Sequence, residues 1–289
     1  MAFAIDGPQG NLPEPGAAPL APQPTPTAAT HPPETPAEMA SPAPYWSFGP
    51  ARPFLSGRAI PGLGYGRFAL TIGYGKPHWM WAGAEALATL TPIYSALQAG
   101  LHMSAVLADI MLTVRRTYAF GHTLIPMADS VGSADLKQAE QPTAKSTVID
   151  ASLWGLLPYG RWLLTWELTY VRPLGQSTSL LLYEEIQRAV IASDGVVTSK
   201  LGPMVNLSAA GQIYVGVLAE HLSLLGRTDS LVFRIGPNVW VQLSNHWDLF
   251  GYCSWPVHGP DHLGAWSGMY GAGGFMYRFA TGEALGRLP

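Results

Sequence analysis

Charge is scarce in this sequence: Asp, Glu, Lys and Arg make up 12% of its 289 residues, where soluble domains average about 25%. Hydrophobic content is nevertheless ordinary at 48%. Helical membrane spans would push that average far higher, so the shortage fits a surface turned to lipid by every second side chain of a strand. A lone cysteine, Cys253, excludes both a disulfide framework and a cysteine metal cluster, and reads as a small apolar filler on a strand. A formal net charge of -3 leaves no basic footprint for nucleic acid. Long apolar runs are also missing, apart from 96–114. That stretch is long enough for a helical span, but Gln98, His102, Ser104 and Asp109 interrupt it, no second run accompanies it, and Asp109 would be costly on an isolated helix in lipid.

Residues 1–51 contain no Lys or Arg, yet thirteen of the 26 prolines fall in the first fifty positions. Such a segment lacks the apolar residues for a packed core and is expected to be a disordered, extended, polyproline-like arm. Met1-Ala2-Phe3-Ala4-Ile5-Asp6 is too short for a signal-peptide core. If the protein is exported, its true start is therefore expected upstream.

From Arg52 the chain changes to short runs rich in Tyr, Trp, Val, Leu and Thr, punctuated by Gly, Pro, Asn and Asp. The clearest run is 161–171, where Trp162, Leu164, Trp166, Leu168 and Tyr170 alternate with Arg161, Thr165, Glu167 and Thr169. That is a strand with an apolar face and a wet face. Aromatics near both ends of the apolar face suit rings placed at lipid headgroup level. Comparable strands are predicted over 63–75, 79–90, 94–104, 107–120, 146–157, 180–191, 196–208, 212–219, 231–243, 247–257 and 265–279. A further one at 54–60 is an open alternative. Pro158-Tyr159-Gly160 and Asp194-Gly195 read as hairpin turns, and 122–145 as a long polar connection. The expected fold is all-β, a transmembrane antiparallel barrel of about twelve strands over 52–279, with a tail at 280–289. With the first strand at 63, the 122–145 connection falls on the side of the chain termini, whereas such barrels keep their long loops on the other side. A strand at 54–60 would reverse that assignment.

The end of the barrel region, Gly274-Phe275-Met276-Tyr277-Arg278-Phe279, resembles the terminal strand signal of Gram-negative outer-membrane β-barrels. Members of that family usually stop at the phenylalanine, and here residues 280–289 follow it. The resemblance implies a bacterial outer-membrane location and assembly by the barrel-assembly machinery through Gly274, Tyr277 and Phe279. It implies no substrate.

If the apolar faces meet lipid, then Arg67, Glu85, Asp109, Arg115, Asp150, Glu167, Glu220, Arg234, Asp248 and Arg278 line the lumen. Mixed signs at similar depth pair when they can reach, which points to a structural barrel or a narrow channel for small solutes more than to an open pore. His258, Asp261 and His262 have a metal-like spacing. The Gly-Pro between the histidines breaks any helix that would aim both rings one way, so a polar loop is expected. His102 with Ser104, and His221 with Ser223, share strand faces and raise the alternative of a lipid-modifying hydrolase, although no nucleophile motif frames them. A soluble barrel binding a small apolar ligand is the third reading. The tryptophans Trp79, Trp81, Trp154, Trp162, Trp166, Trp247 and Trp255 are expected as interfacial anchors. No cofactor motif is legible, so the expected protein is neither an enzyme nor a cofactor binder.

Overall fold

The computed structural model describes residues 50–105, 107–121, 124–137, 145–208, 212–244, 246–263 and 269–281. The proline-rich arm expected over 1–51 and the tail expected over 280–289 lie outside the described residues, apart from Pro50, Ala51, Ala280 and Thr281.

In chain order the elements are β1 (Arg52–Gly62), β2 (Tyr65–Lys76), β3 (Met80–Leu90), β4 (Tyr94–Ala105), β5 (Ala108–Ala119) and β6 (Leu124–Pro126). The short helix α1 (Ser133–Lys137) precedes β7 (Lys145–Tyr159), β8 (Trp162–Pro173), β9 (Leu180–Glu184) and β10 (Ala189–Ile191). The chain ends with β11 (Val196–Asn206), β12 (Ile213–Leu224), β13 (Leu231–Gln242), β14 (Trp247–His258) and β15 (Tyr270–Ala280). Twelve strands close an antiparallel barrel in the order β1-β15-β14-β13-β12-β11-β8-β7-β5-β4-β3-β2, while β10-β9-β6 form a separate sheet.

The period-two alternation decides which side chains face out. On β4, Leu97, Leu101 and Met103 are exposed while Ala96, Gln98, His102 and Ser104 are buried. On β12, Ile213, Val215 and Val217 face out against buried Leu218, Glu220 and Leu222. The outer wall is thus a belt of large apolar side chains, with Ile72 67% and Leu101 68% exposed, an arrangement that water disfavours and a bilayer satisfies. This places 96–114 on the β4–β5 hairpin, and among the described residues no helix is long and apolar enough to cross a membrane.

Two strand assignments differ from the sequence reading. Residues 54–60 form part of β1, which pairs with both β2 and β15 and so carries the closure. Residues 180–191 are not a barrel strand. Leu180-Leu181-Leu182-Tyr183-Glu184 has no apolar-out alternation, since four of the five are buried, and Arg188 turns the chain at a positive φ of 51° into β10. The Asp194-Gly195 turn leads into β11, but β11 pairs with β8 and β12 instead of returning along β9 or β10. The two corrections offset in number and reverse the orientation. With β1 first, the connections 120–144, 174–195, 225–230 and 259–269 all emerge at the end opposite the entry of β1 and the exit of β15, here the loop end. Short turns occupy the other, turn end. The 122–145 connection also contains β6 and α1.

The loop end has its own core. One face of the small sheet, with Leu182, Ala189 and Ile191, packs on the inward residues Val148, Val171, Val196, Leu222, Leu224 and Val232 of the barrel rim. Its other face, with Ile125, Leu181, Tyr183 and Val190, is covered by Val131, Leu136 and Leu263. Burial on both faces explains the apolar runs Leu180-Leu181-Leu182-Tyr183 and Ala189-Val190-Ile191, neither of which alternates. Because the belt is the lipid-facing surface, Leu112→Arg is expected to destabilise the barrel by about 2–4 kcal/mol. Urea unfolding in lipid vesicles would measure this, and an unchanged midpoint would place that wall out of lipid.

Candidate functional site in the barrel lumen

Three groups of side chains cross the interior. Toward the turn end, Arg58 donates from one nitrogen to both Glu85 oxygens at 2.8 and 2.9 Å, and Thr71 donates to Glu85 at 3.0 Å. His102 bridges two carboxylates, with Nδ1 3.1 Å from Glu85 and Nε2 3.0 Å from Asp109. An imidazole donates at both nitrogens only as the cation, so this clamp suits a charged ring. Trp81 lies 4.5 Å from the His102 ring and edge-on to Phe54. On the neighbouring strands β15 and β14, Arg278, the ladder partner of Arg58, pairs with Asp248 at 3.0 Å.

Midway, Lys200 on β11 bonds Glu167 at 3.1 Å and lies 3.9 Å from Glu220. Arg234 donates to Glu220 at 3.0 Å and sits 5.2 Å from the Tyr270 ring centroid, while the Tyr270 hydroxyl donates to Glu220 at 2.6 Å. Arg234 also donates to the carbonyls of Gln187 and Arg188 at 3.0 and 2.7 Å. Arg115 pairs with Glu184 at 2.8 Å and with Asp150 at 3.5 Å. Arg234 and Arg115 are fully buried barrel side chains; Arg115 holds the end of β9 through Glu184, and Arg234 holds the turn that follows it. The inserted sheet is therefore clasped to the barrel by buried charge as well as by apolar packing.

Outside this network, Arg227 ties the loop ends together through Asp261 at 2.9 and 3.0 Å and through the carbonyls of Val190, Ala128 and Asp129. Asp261 also accepts from the Val131 amide at 3.1 Å. That consumes the one carboxylate of the His258-Asp261-His262 spacing, and among the described residues no group of His, Cys, Asp or Glu is arranged to hold a metal.

All ten residues singled out in the sequence occupy inward positions. Glu85, Asp109, Arg115, Asp150, Glu220, Arg234 and Asp248 are buried, while Glu167 and Arg278 are half-buried in their pairs. Arg67 points inward yet is exposed, because it lines a cavity of about 500 Å³ instead of an ion pair. Sequence reasoning missed Arg58, Lys200, Glu184 and Tyr270. Lys200 was findable, since it shares parity with buried Thr198 and sits opposite Glu167 in the ladder. Glu184 was hidden by reading its segment as a barrel strand.

The Ser/His pairs separate. His102 and Ser104 face the lumen, and both ring nitrogens of His102 are committed to carboxylates. His221 and Ser223 lie on the opposite face from Glu220 and Leu222, and His221 is exposed on the outer wall. Trp81 is no interfacial anchor but buried in the lumen. Its strand turns alanines Ala82, Ala84, Ala86 and Ala88 outward, so side-chain size misleads there. Trp162, Trp247 and Trp255 do face out, at 54%, 41% and 42% exposure.

Among the described residues, two larger cavities lie in the lumen. One, of about 440 Å³, opens toward the turn end beside Arg58, Glu85, His102, Asp109, Asp248 and Arg278. His78 at its mouth adopts a positive φ of 58° and faces the Phe279 carbonyl at 3.1 Å; burial and then Arg278 push its pKa down to about 4. The other, of about 500 Å³, lies toward the loop end between Tyr65, Arg67, Tyr94, Glu185, Tyr252 and Tyr270.

A closed barrel, apolar outside and charged inside, has the fold of an outer-membrane β-barrel. No protein-family profile matches the chain, and no curated protein matches its sequence. Solved structures similar to it include Omp33, an outer membrane protein of Acinetobacter baumannii (8% identity, TM-score 0.38, 80% of this chain and 99% of that one). The translocator domain of the autotransporter NalP from Neisseria meningitidis is 12% identical, with a TM-score of 0.35 over 80% of this chain and 89% of that one. The NanC porin is 7% identical, with a TM-score of 0.34 over 79% and 97%.

Glu185, in the turn after β9, is the titratable point of the cap. Burial first, and neighbouring Glu184 second, push its pKa from 4.5 up to about 8, against the opposing pull of Arg188. The closed cap thus holds a proton that the opened segment releases above 4.5. Its stability is highest below that pH, falls as pH rises to about 8 and is flat beyond. Hydrogen-exchange protection of β9 and β10, corrected for intrinsic rates, should follow this slope, and Glu185→Gln should flatten it. An equal slope in the variant would assign the titration elsewhere.

Proposed function

We propose that the protein is a bacterial outer-membrane β-barrel acting as a narrow channel for small solutes, its loop end facing outward and partly stopped by the inserted sheet. The observation that supports this reading is the alignment of the two cavities along one wall. Between them stands a single inward residue on each of three strands: Ala69 on β2, Leu87 on β3 and Gly100 on β4. On β1 the inward residues Arg58 and Ile60 already belong to different cavities. A barrel sealed for purely structural ends has no need of a partition this thin, and two of its three members are too small to fill it.

Single-channel recording in planar bilayers tests the proposal. The wild type should give small conductance steps and Leu87→Ala larger ones. If neither it nor Leu87→Ala combined with Glu184→Gln, which removes a carboxylate from Arg115, gives steps, the barrel is a scaffold.

Delivery to the outer membrane is proposed to use the terminal strand. β15 closes on β1, and the Phe279 ring lies against Gly57, where a Cβ would collide with it. Phe279→Ala is expected to lower the heat-modifiable, assembled fraction in cells while leaving refolding in detergent possible. Normal assembly in cells would remove Phe279 from the recognition signal.

A further inference from the structure

The outer wall is stripped of acid. Every carboxylate on the barrel strands (Glu85, Asp109, Asp150, Glu167, Glu220 and Asp248) takes an inward position. Against that background three cations face outward together at the loop end: Arg116 on β5, Lys145 at the start of β7 and Arg172 on β8. All three are exposed, and they stand on successive strands of the sheet. The ladder sets Arg116 opposite Thr147, Lys145 opposite Tyr118 and Arg172 opposite Ile149. Tyr118 lies among them, its ring centroid 5.7 Å from the Arg116 guanidinium carbon and 5.8 Å from the Lys145 ammonium. Among the described residues none of the three makes an ion pair within the chain.

Their height matters. Ten residues separate Arg172 from Trp162 along β8, which at ~3.3 Å per residue and a tilt of about 40° is about 25 Å along the barrel axis, the height of a lipid-facing band. With Trp162 at one headgroup level, Arg172 stands at the other. Directly below the cations the wall is apolar, with Val114, Ile149 and Leu168 facing out. A ligand meeting both parts carries anionic oxygens above and hydrocarbon below.

We propose that Arg116, Lys145 and Arg172 form a binding site for the phosphate-bearing headgroup of a lipid in the loop-end leaflet, Tyr118 orienting two of the cations beneath it. Arginine forks and the lysine ammonium suit phosphate oxygens, and the bilayer edge supplies the rest of the molecule. The proposal goes beyond the channel reading and does not depend on it.

The test uses the full chain refolded in detergent, with native mass spectrometry of retained lipid. The probes are bisphosphorylated lipid A and its monophosphorylated form. Wild type should retain the bisphosphorylated probe better than the monophosphorylated one. The triple variant Arg116→Ala, Lys145→Ala, Arg172→Ala should lose roughly 100-fold in affinity, while Arg161→Ala at the turn end leaves retention unchanged. Circular dichroism and heat-modifiability of each variant confirm that the barrel is folded. Equal retention by the triple variant, no discrimination between the two probes, or a triple variant altered only in oligomeric state, as expected if the patch meets a second copy, would each overturn the proposal.

Discussion

Everything in this molecule depends on the pairing of β1 with β15. Hydrocarbon offers no partner to an open strand edge, so each unpaired amide or carbonyl there costs several kcal/mol, and only closure removes both edges at once. The register runs from Ser56 opposite Ala280 to Gly62 opposite Gly274. It is continued beyond the ladder by backbone bonds from Leu63 to Gly273 at 3.0 Å and from Thr281 to Leu55 at 2.8 Å. Small residues allow the seam to be tight: Gly57 yields its side-chain space to Phe279, and a Cβ on Gly274 would strike the Pro61 carbonyl.

Closure then fixes the electrostatics. Once inside and outside are defined, a charge on a strand has either water and partners or lipid, and the carboxylates all take the first option. The interior that results is neither an empty pore nor a packed core. Glu85 gathers Arg58, Thr71 and His102, and Glu220 gathers Arg234, Lys200 and Tyr270. Buried pairs of this kind add little net stability but are costly to break from one side. Their effect is therefore on geometry. Arg115 and Arg234 hold the end of β9 and the turn after it in one place, while the wall from β1 to β4, furnished with Ala69 and Gly100, is left comparatively open.

Much of this was legible beforehand. Alternation marked eleven of the twelve barrel strands, and parity alone put Glu167, Glu220 and Arg234 inside. Legibility failed where alternation carried no size contrast or served a different packing. On β3 the outward residues are mainly alanines, so Trp81 looked like the lipid-facing member. Over 180–191 both faces are buried, which is how a small sheet between a barrel rim and its covering loops must look. β1 is ambiguous in the sequence because Ser56, Gly57 and Arg58 interrupt its apolar text, yet Gly57 is there to receive Phe279.

By itself the sequence determined the class of fold, the depletion of charge, the two-faced strands and the set of inward carboxylates, because a period of two is a local property that each segment carries alone. Only the tertiary structure decided which strand closes the barrel, that β9 and β10 leave the wall to stop its mouth, which cation meets which carboxylate, and that Arg116, Lys145 and Arg172 gather on one rim. Those outcomes depend on register between strands distant in the chain. A shift of two residues keeps every side chain on its face and still changes every partner.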